Sequence, residues 1–521
     1  MKDQFVLGGC ACCPLSRRQF LVSSCAACAG TLGVMTSSRR LFAADGTGKP
    51  RIKIVYSLHA ETQPGPDWPN VGFAFTPVMD TITNALIQGC PDFEFLPVMA
   101  QGPEEAEAIL KESASENILG YIVYQMNCWN RVVQTVADTG KAILYVDFQF
   151  GGSGGFLVYT ADFIRRNVSN LGFIASSRME DVFAAVNCFK GIADGQDAST
   201  FSAAVTQTRV KATLKPGNPD CIADPLKTLT PAECIEQMKA SKIVVVRDEE
   251  AKALEAYAGV PMVQAAFSEL NALWEAADKD EAKAIADRWE KGAAYITDVS
   301  RETLEASAAM YLANKALLNQ YDANAITINC LGGFYGNHIH AYPCLGFHEL
   351  NNEGLIGACE ADVRSTATMT IFTALTQGRP GYISDPVIDT ARGQIIYAHC
   401  VASNRVFGPK GSENPFAIMT HSEDRQGAAV RSFLPGGYMT TSLEVCPERK
   451  EILFHQAKAI ANDPDDRACR TKLCAEPVGD IEKLFTQWDQ WSWHRVTFYG
   501  DLKEDVFALA DALGYTVVEE A

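Results

Sequence analysis

The stretch GYIVYQMNCWNRVVQTVADTGKAILYVDF, residues 120–148, sets two aromatic and β-branched runs on either side of a segment with helical spacing. The runs GYIVY and AILYVDF are apolar throughout rather than alternating, the pattern of strands buried on both faces. Strand, helix and strand in succession build a parallel sheet covered by helices. Working outward, IKIVYS (52–57) supplies an earlier strand. PEEAEAILKESASE (103–116), opening on proline and acids, supplies an earlier helix. These elements define a first doubly wound, Rossmann-like α/β domain over residues 50–170. Its last strand runs into GGSGG (151–155). That pattern lacks the third glycine and the later acidic residue of a dinucleotide-binding turn, so it reads as a mobile loop.

A second Rossmann-like α/β domain is expected over residues 171–380. Thr230-Pro231-Ala232-Glu233 is a capping box with proline at the first helical position. It leads into the strand KIVVV (242–246). A long, charged, alanine-rich region over 249–321 reads as helical, with DKDEAKAIADRWEK as a solvated face. The strands AITINC and GLIGACE follow. From residue 381 the texture changes to short apolar runs bounded by turn residues: QIIYAHC, FAIMTH, AAVRSFL and YMTTSLEV. This predicts an antiparallel barrel or sandwich, a β-rich domain over 381–521 closed by the helix DLKEDVFALADALG.

At 521 residues the chain is long enough for about three domains. Its formal charge is −18; the first 44 residues carry a net +4, which leaves −22 for the remainder. So acidic a surface repels phosphate backbones and excludes nucleic acid as a partner. SRRQFL (16–21) followed by VSSCAACAGTLGVM is a twin-arginine export signal over residues 1–44, with the export machinery as partner and an extracytoplasmic or periplasmic destination. No other stretch approaches the roughly 18 apolar residues of a membrane span. Five of the 17 cysteines lie in the signal. Cys359 and Cys400 sit in apolar runs and read as core residues. Cys221 with Cys234, and Cys469 with Cys474, are within reach of short-range disulfides in an oxidising compartment.

CEADV (359–363), Asp385-Pro386, AHC (398–400), CRT (469–471) and a histidine at 494 shortly before YGD and a closing helix follow one another in this order. The succession resembles the L-fucose isomerase family and its L-arabinose isomerase relatives, most densely over residues 300–515. The resemblance implies that Glu360, Asp385 and His494 hold a divalent cation, Mn2+ in that family. Two anionic oxygens and one imidazole suit such a cation and leave positions open for substrate. It further implies aldose–ketose isomerisation of a sugar through an ene-diol, with Glu360 and Asp385 as proton carriers. Asp362, two residues after Glu360, is either a rival ligand or a group supporting the ligands from behind, and it is counted with His399 among the substrate-binding residues. Ser492 and Trp493 stand where most relatives carry Gly-Asn, so the pocket is reshaped there and Trp493 faces the substrate. The resemblance also implies a homo-oligomer, a trimer or hexamer, in which one subunit's first domain covers another's site.

A rival cluster lies in NHIHAYPCLGFH (337–348). His-x-His on a strand can chelate zinc, and Cys344 could add a thiolate, so His338 and His340, with His348 nearby, are further candidates for metal or substrate contact. Two other readings stand beside the isomerase: a periplasmic sugar-binding protein, which would suit two α/β lobes and export, and a family member with altered catalysis. The acid–histidine set and the β-rich third domain weigh against the first.

Overall fold

Buried strands with helices on both faces are what the apolar runs of the first third become. The structure is a computed structural model that describes residues 48–217, 219–247 and 250–521; the expected export signal lies outside the described residues. β1 (Arg51–Ser57), β2 (Glu94–Ala100), β3 (Ile118–Gln125), β4 (Ile143–Asp147) and β5 (Leu171–Ile174) form a parallel sheet in the order β2-β1-β3-β4-β5. Alternate residues feed different cores: Val55, Val123 and Tyr145 pack on one face, Ile54, Tyr56, Ile122 and Leu144 on the other. Each such side chain contributes about 1.5–3 kcal/mol on burial, which is why both faces must be covered.

The glycine run 151–155 is not a mobile loop. All five residues are buried, and a helix begins inside it at Ser153 and runs to Arg165. A Cβ on Gly152 would lie 1.9 Å from the Gln125 carbonyl oxygen, and one on Gly154 2.2 Å from the ring of Trp493. The glycines allow close approach of the end of β3 and of an indole from far along the chain.

The second sheet holds β6 (Ile243–Arg247), β7 (Lys252–Tyr257) and β8 (Val260–Ala266), then, past the short β9 (Ile296–Thr297), β10 (Ala325–Ile328) and β11 (Ile356–Ala358). Its order is β11-β10-β6-β8-β7, parallel except for the edge strand β7. The capping box forms as expected: the Thr230 N–H donates to Glu233 Oε2 at 2.9 Å and the Glu233 N–H to Thr230 Oγ1 at 3.4 Å. The region read as continuous helix departs from expectation. It opens with the β7–β8 hairpin and only then forms the helices Phe267–Ala276, Lys279–Gly292 and Arg301–Tyr321. KALEAY has helix-favouring composition, but the turn at Ala258 and Gly259, with φ of +50° and +82°, returns the chain onto β8, and pairing overrides propensity.

The last sheet contains β12 (Tyr382–Asp389) and β13 (Gln394–His399). After the pair β14 (Phe416–Met419) and β15 (Ala429–Ser432), it continues with β16 (Met439–Cys446), β17 (Glu451–Asn462), β18 (Thr471–Pro477), β19 (Arg495–Tyr499) and β20 (Thr516–Glu519). Strands β16-β19-β12-β13-β18-β17 pair in that order and β17 pairs back to β16, which closes a six-stranded antiparallel barrel with no free edge; β20 adds alongside β17. β9, β14 and β15 form a small separate sheet. The expected closing helix spans Lys503–Leu513. Among the described residues no helix is long and apolar enough to cross a membrane.

Candidate active site

Glu360 arrives from the second sheet. β11 ends at Ala358, and the chain then turns through Glu360 and Ala361, both left-handed with φ of +66° and +49°. Two successive non-glycine residues there cost on the order of 1–3 kcal/mol each. The turn is held because the Ala361 N–H donates to the Ile328 carbonyl at 2.9 Å. Asp362 then caps the helix Val363–Leu375, accepting the Ser365 N–H at 3.1 Å. The other side chains come from the barrel. Asp385 lies on β12 opposite Ala398, one residue from His399 at the end of β13, while Arg495, the first residue of β19, pairs with Ser384 and sets His494 beside Asp385. Arg495 also donates to the carbonyls of Ser492 and His494 at 3.1 and 2.8 Å, and its guanidinium is anchored 2.6 Å from Glu520, fully buried.

Ligand atoms of Glu360, Asp385, His399 and His494 all lie within 4.8 Å of one another. His494 Nε2 is 3.1 Å from Asp385 Oδ1 and 3.6 Å from Glu360 Oε2; His399 Nε2 is 3.9 Å from Glu360 Oε1. Asp385 Oδ1, His399 Nε2 and His494 Nε2 are buried, and none makes a well-aligned hydrogen bond. The outer ring nitrogens assign the tautomers. His494 Nδ1 lies 2.8 Å from Asp362 Oδ2, and a carboxylate can only accept, so Nδ1–H donates and, in the neutral ring, Nε2 turns a lone pair on Asp385. Two lone pairs 3.1 Å apart repel unless a proton or cation lies between them. His399 Nδ1 accepts the Cys400 N–H at 2.9 Å, which puts the proton of its neutral form on Nε2, toward the carboxylates. His494 is therefore built as a lone-pair donor and His399 as a hydrogen-bond donor. The set Glu360, Asp385 and His494 fits a divalent cation on these grounds.

Burial and the neighbouring Asp385 charge push the Glu360 carboxyl up to about 8, against the pull of His494. Its side chain is 29% exposed, toward the cavity it lines. Burial alone would lower His494, but the carboxylates of Asp385 and Glu360 outweigh it and hold the imidazole well above its ordinary range. Asp362, despite burial that would raise it, is held at about 2 by His494 and Ser365. Behind it, Ser365 Oγ lies 2.8 Å from Asp362 Oδ2 and 2.6 Å from Glu444 Oε1. One hydroxyl proton cannot serve both carboxylates, and burial pushes Glu444 up to about 8. A protonated Glu444 donates to Ser365, which donates to Asp362, which accepts from His494.

Three of the four cluster residues, Glu360, Asp385 and His494, line a cavity of about 880 Å³, room for a monosaccharide; His399 is buried beside them and does not line it. Trp493 stands in its wall, with ring centroids 5.8 Å from Trp129 and 6.4 Å from Trp68. The rival cluster does not assemble. His338 stacks on Phe267, His340 lies 3.4 Å from Glu275, and neither lines the cavity. Cys344 is buried, and His348 is buried within hydrogen bonds to Ala402 and Asn352. The nominated disulfides are absent too: all twelve described cysteines are free. Cys469 neighbours Cys400, and Cys359 neighbours Cys330, because the barrel sets β13 beside the entry to β18 and the turn at Cys359 beside Cys330. Sequence reasoning missed Trp68, Trp129, Ser365, Glu423 and Glu444. Only Glu444 left a signal, a lone acid in the apolar strand YMTTSLEV.

No protein-family model matches the chain. It is similar to a sulfoquinovose isomerase of Clostridium sp. (strain MSTE9), 26% identical over 220 residues, 40% of this chain and 47% of that protein. It is also similar to a sulfoquinovose isomerase of Priestia aryabhattai, 26% identical over 151 residues, 28% of this chain and 32% of that protein. The chain thus spans less than half the length of these curated relatives. Among solved structures, a regulatory protein of the LacI family from Chloroflexus aggregans covers 56% of this chain and 82% of its own at 8% identity, with a TM-score of 0.16, too low to bear on the fold.

Proposed function

We propose that this protein is a divalent-metal-dependent aldose–ketose sugar isomerase of the L-fucose isomerase kind, exported by the twin-arginine route and assembled as a trimer or hexamer. The observation that carries the reading is the convergence of Asp385 Oδ1 and His494 Nε2, buried lone-pair atoms without hydrogen-bond partners, beside Glu360. The isomerase names of the relatives support the reaction class.

Glu360, Asp385 and His494 would hold the cation, Mn2+ on the resemblance, which when bound supplies Lewis acidity at two neighbouring sugar oxygens. The rest of the work falls to side chains. Glu360, open to the cavity, takes the proton from C2 of an open-chain aldose and returns it to C1, so that an ene-diol collapses to the ketose with no net change in atoms. Asp385 is the second carboxylate placed to move a hydroxyl proton. A positioned base is worth on the order of 10²–10⁴-fold. His399 Nε2–H donates to a sugar oxygen, Asp362 holds the His494 tautomer, and the tryptophans exclude water. A sugar-binding protein without chemistry has no need of the orphaned pair.

Glu360→Gln keeps the volume but removes the anion. Metal content of the purified variant should fall, and isomerisation should drop at least about 100-fold. His494→Ala should lower metal content comparably, whereas His338→Ala should not. Metal stoichiometry unchanged in both Glu360→Gln and His494→Ala would sink the assignment.

A further inference from the structure

We propose that Glu423, backed by the Tyr335 hydroxyl, is the acid that opens the ring form of the sugar; this rests on the isomerase reading and adds a step before it. Aldoses dissolve chiefly as cyclic hemiacetals, whereas the C2 proton becomes acidic only in the open-chain aldehyde. Opening needs one group to protonate the ring oxygen and another to take the proton of the anomeric hydroxyl. With Glu360 assigned to C2 and Asp385 to a hydroxyl, the ring oxygen requires a third group. Of the other carboxyls on the cavity, Asp362 is held by His494 at 2.8 Å, Asp489 by Arg165 at 2.7 Å, and Asp67 lies 2.9 Å from His59. Glu423 is instead hydrogen-bonded to a neutral phenol.

Glu423 stands on the loop between β14 and β15, which is fixed where it meets the cavity: its carbonyl accepts the Val71 N–H at 2.8 Å, and the His421 N–H donates to the Gln426 carbonyl at 2.7 Å. Tyr335, the last residue of the helix Cys330–Tyr335, donates its hydroxyl to Glu423 Oε2 at 2.5 Å; among the described residues Oε1 makes no hydrogen bond. Burial and the charge of an ionised Glu423 push the phenol far up, so Tyr335 keeps its proton and the one that Glu423 carries is on Oε1. Burial holds that carboxyl up at about 8 against the pull of His421. In ring opening the Oε1 proton passes to the ring oxygen as its bond to C1 breaks, C1 becomes the aldehyde carbon, and the anomeric hydroxyl proton goes to Asp385. Nothing is oxidised or reduced. Closure of the ketose reverses both transfers: the C2 carbonyl oxygen takes the Asp385 proton, a chain hydroxyl gives its proton to Glu423, and its oxygen bonds to C2. The Tyr335 hydrogen bond strengthens as the carboxylate forms, which stabilises the anion left behind.

The test uses the full-length metal-loaded protein in its native assembly and a single freshly dissolved anomer of L-fucose, L-arabinose or sulfoquinovose. Anomer interconversion and ketose formation are followed by NMR, sugar affinity by calorimetry, and metal content by elemental analysis. The wild type should interconvert the anomers of at least one of the three faster than buffer with the same free metal. Glu423→Gln still accepts from Tyr335 but has no acidic proton, so interconversion should fall at least about 100-fold with metal content and sugar affinity unchanged. Its ketose formation should level off at the rate of spontaneous ring opening, however much enzyme is added. Tyr335→Phe should slow interconversion about tenfold. A wild type no faster than buffer, Glu423→Gln interconverting at the wild-type rate, or loss of metal or sugar affinity along with the rate overturns the proposal. Ring opening without ketose in the wild type refutes the isomerase reading and leaves Glu423 as the acid. Ketose formation that rises with added Glu423→Gln enzyme as steeply as in the wild type refutes the acid and leaves the isomerase, so the two failures are distinct.

Discussion

At the scale of single residues the site depends on a hydrogen-bonded line that runs away from the cavity, from His494 through Asp362 and Ser365 to Glu444. Its far end should be visible in stability. Burial, followed by the charge of Asp362, raises Glu444 from 4.5 to about 8. The folded chain therefore keeps a proton that the unfolded chain has already shed. The stability this proton contributes is fully present below pH 4.5 and is lost as pH rises through about 8. Glu444→Gln is neutral throughout, so its denaturation midpoint should fall less steeply than the wild type's across that window. Parallel slopes would show that Glu444 does not carry the proton. Ser492 is a second residue whose role lies in its backbone: φ is +69° and ψ 179°, a region that is essentially glycine's. A glycine would adopt this conformation without steric cost, and no reading of side chains would have shown it.

At the scale of elements, strand register gathers the cluster. β12 lies between β13 and β19, so Asp385, His399 and His494 become neighbours although more than a hundred residues separate the last from the first. The glycine-opened helix Ser153–Arg165 plays the complementary part by giving Trp493 its seat. Gly154→Ala should displace the indole and weaken sugar binding, with a loss of about 1–3 kcal/mol in stability from overpacking. Gly65→Ala, whose Cβ would meet nothing within 4 Å, should be close to neutral. Tryptophan fluorescence and thermal unfolding check both; an unshifted spectrum in Gly154→Ala would refute the seat. Neither the closeness of Gly154 to Trp493 nor the β7 edge strand was legible, because one depends on a contact across domains and the other on a turn that outweighs local composition.

At the scale of the whole molecule, the second sheet and the barrel share one apolar core, in which Val245 and Ile326 join Val387, Leu443 and Val496. Glu360 can therefore meet barrel residues across a rigid contact. Export is tested at this scale: replacing Arg17 and Arg18 with lysine should leave precursor in the cytoplasm, and unchanged extracytoplasmic appearance of the double variant would rule the route out. The sequence alone determined that buried parallel strands come first and a β-rich segment last, because apolar runs and turn residues report local burial and chain reversal. Through a resemblance, it also nominated Glu360, Asp385, His399 and His494. Only the tertiary structure decided which histidines converge, which ring nitrogen each one turns on the cluster, and that the cavity is walled by tryptophan and lined with acid. Those properties arise from distances between segments remote in the chain, and the periodicity of any one segment carries no record of them.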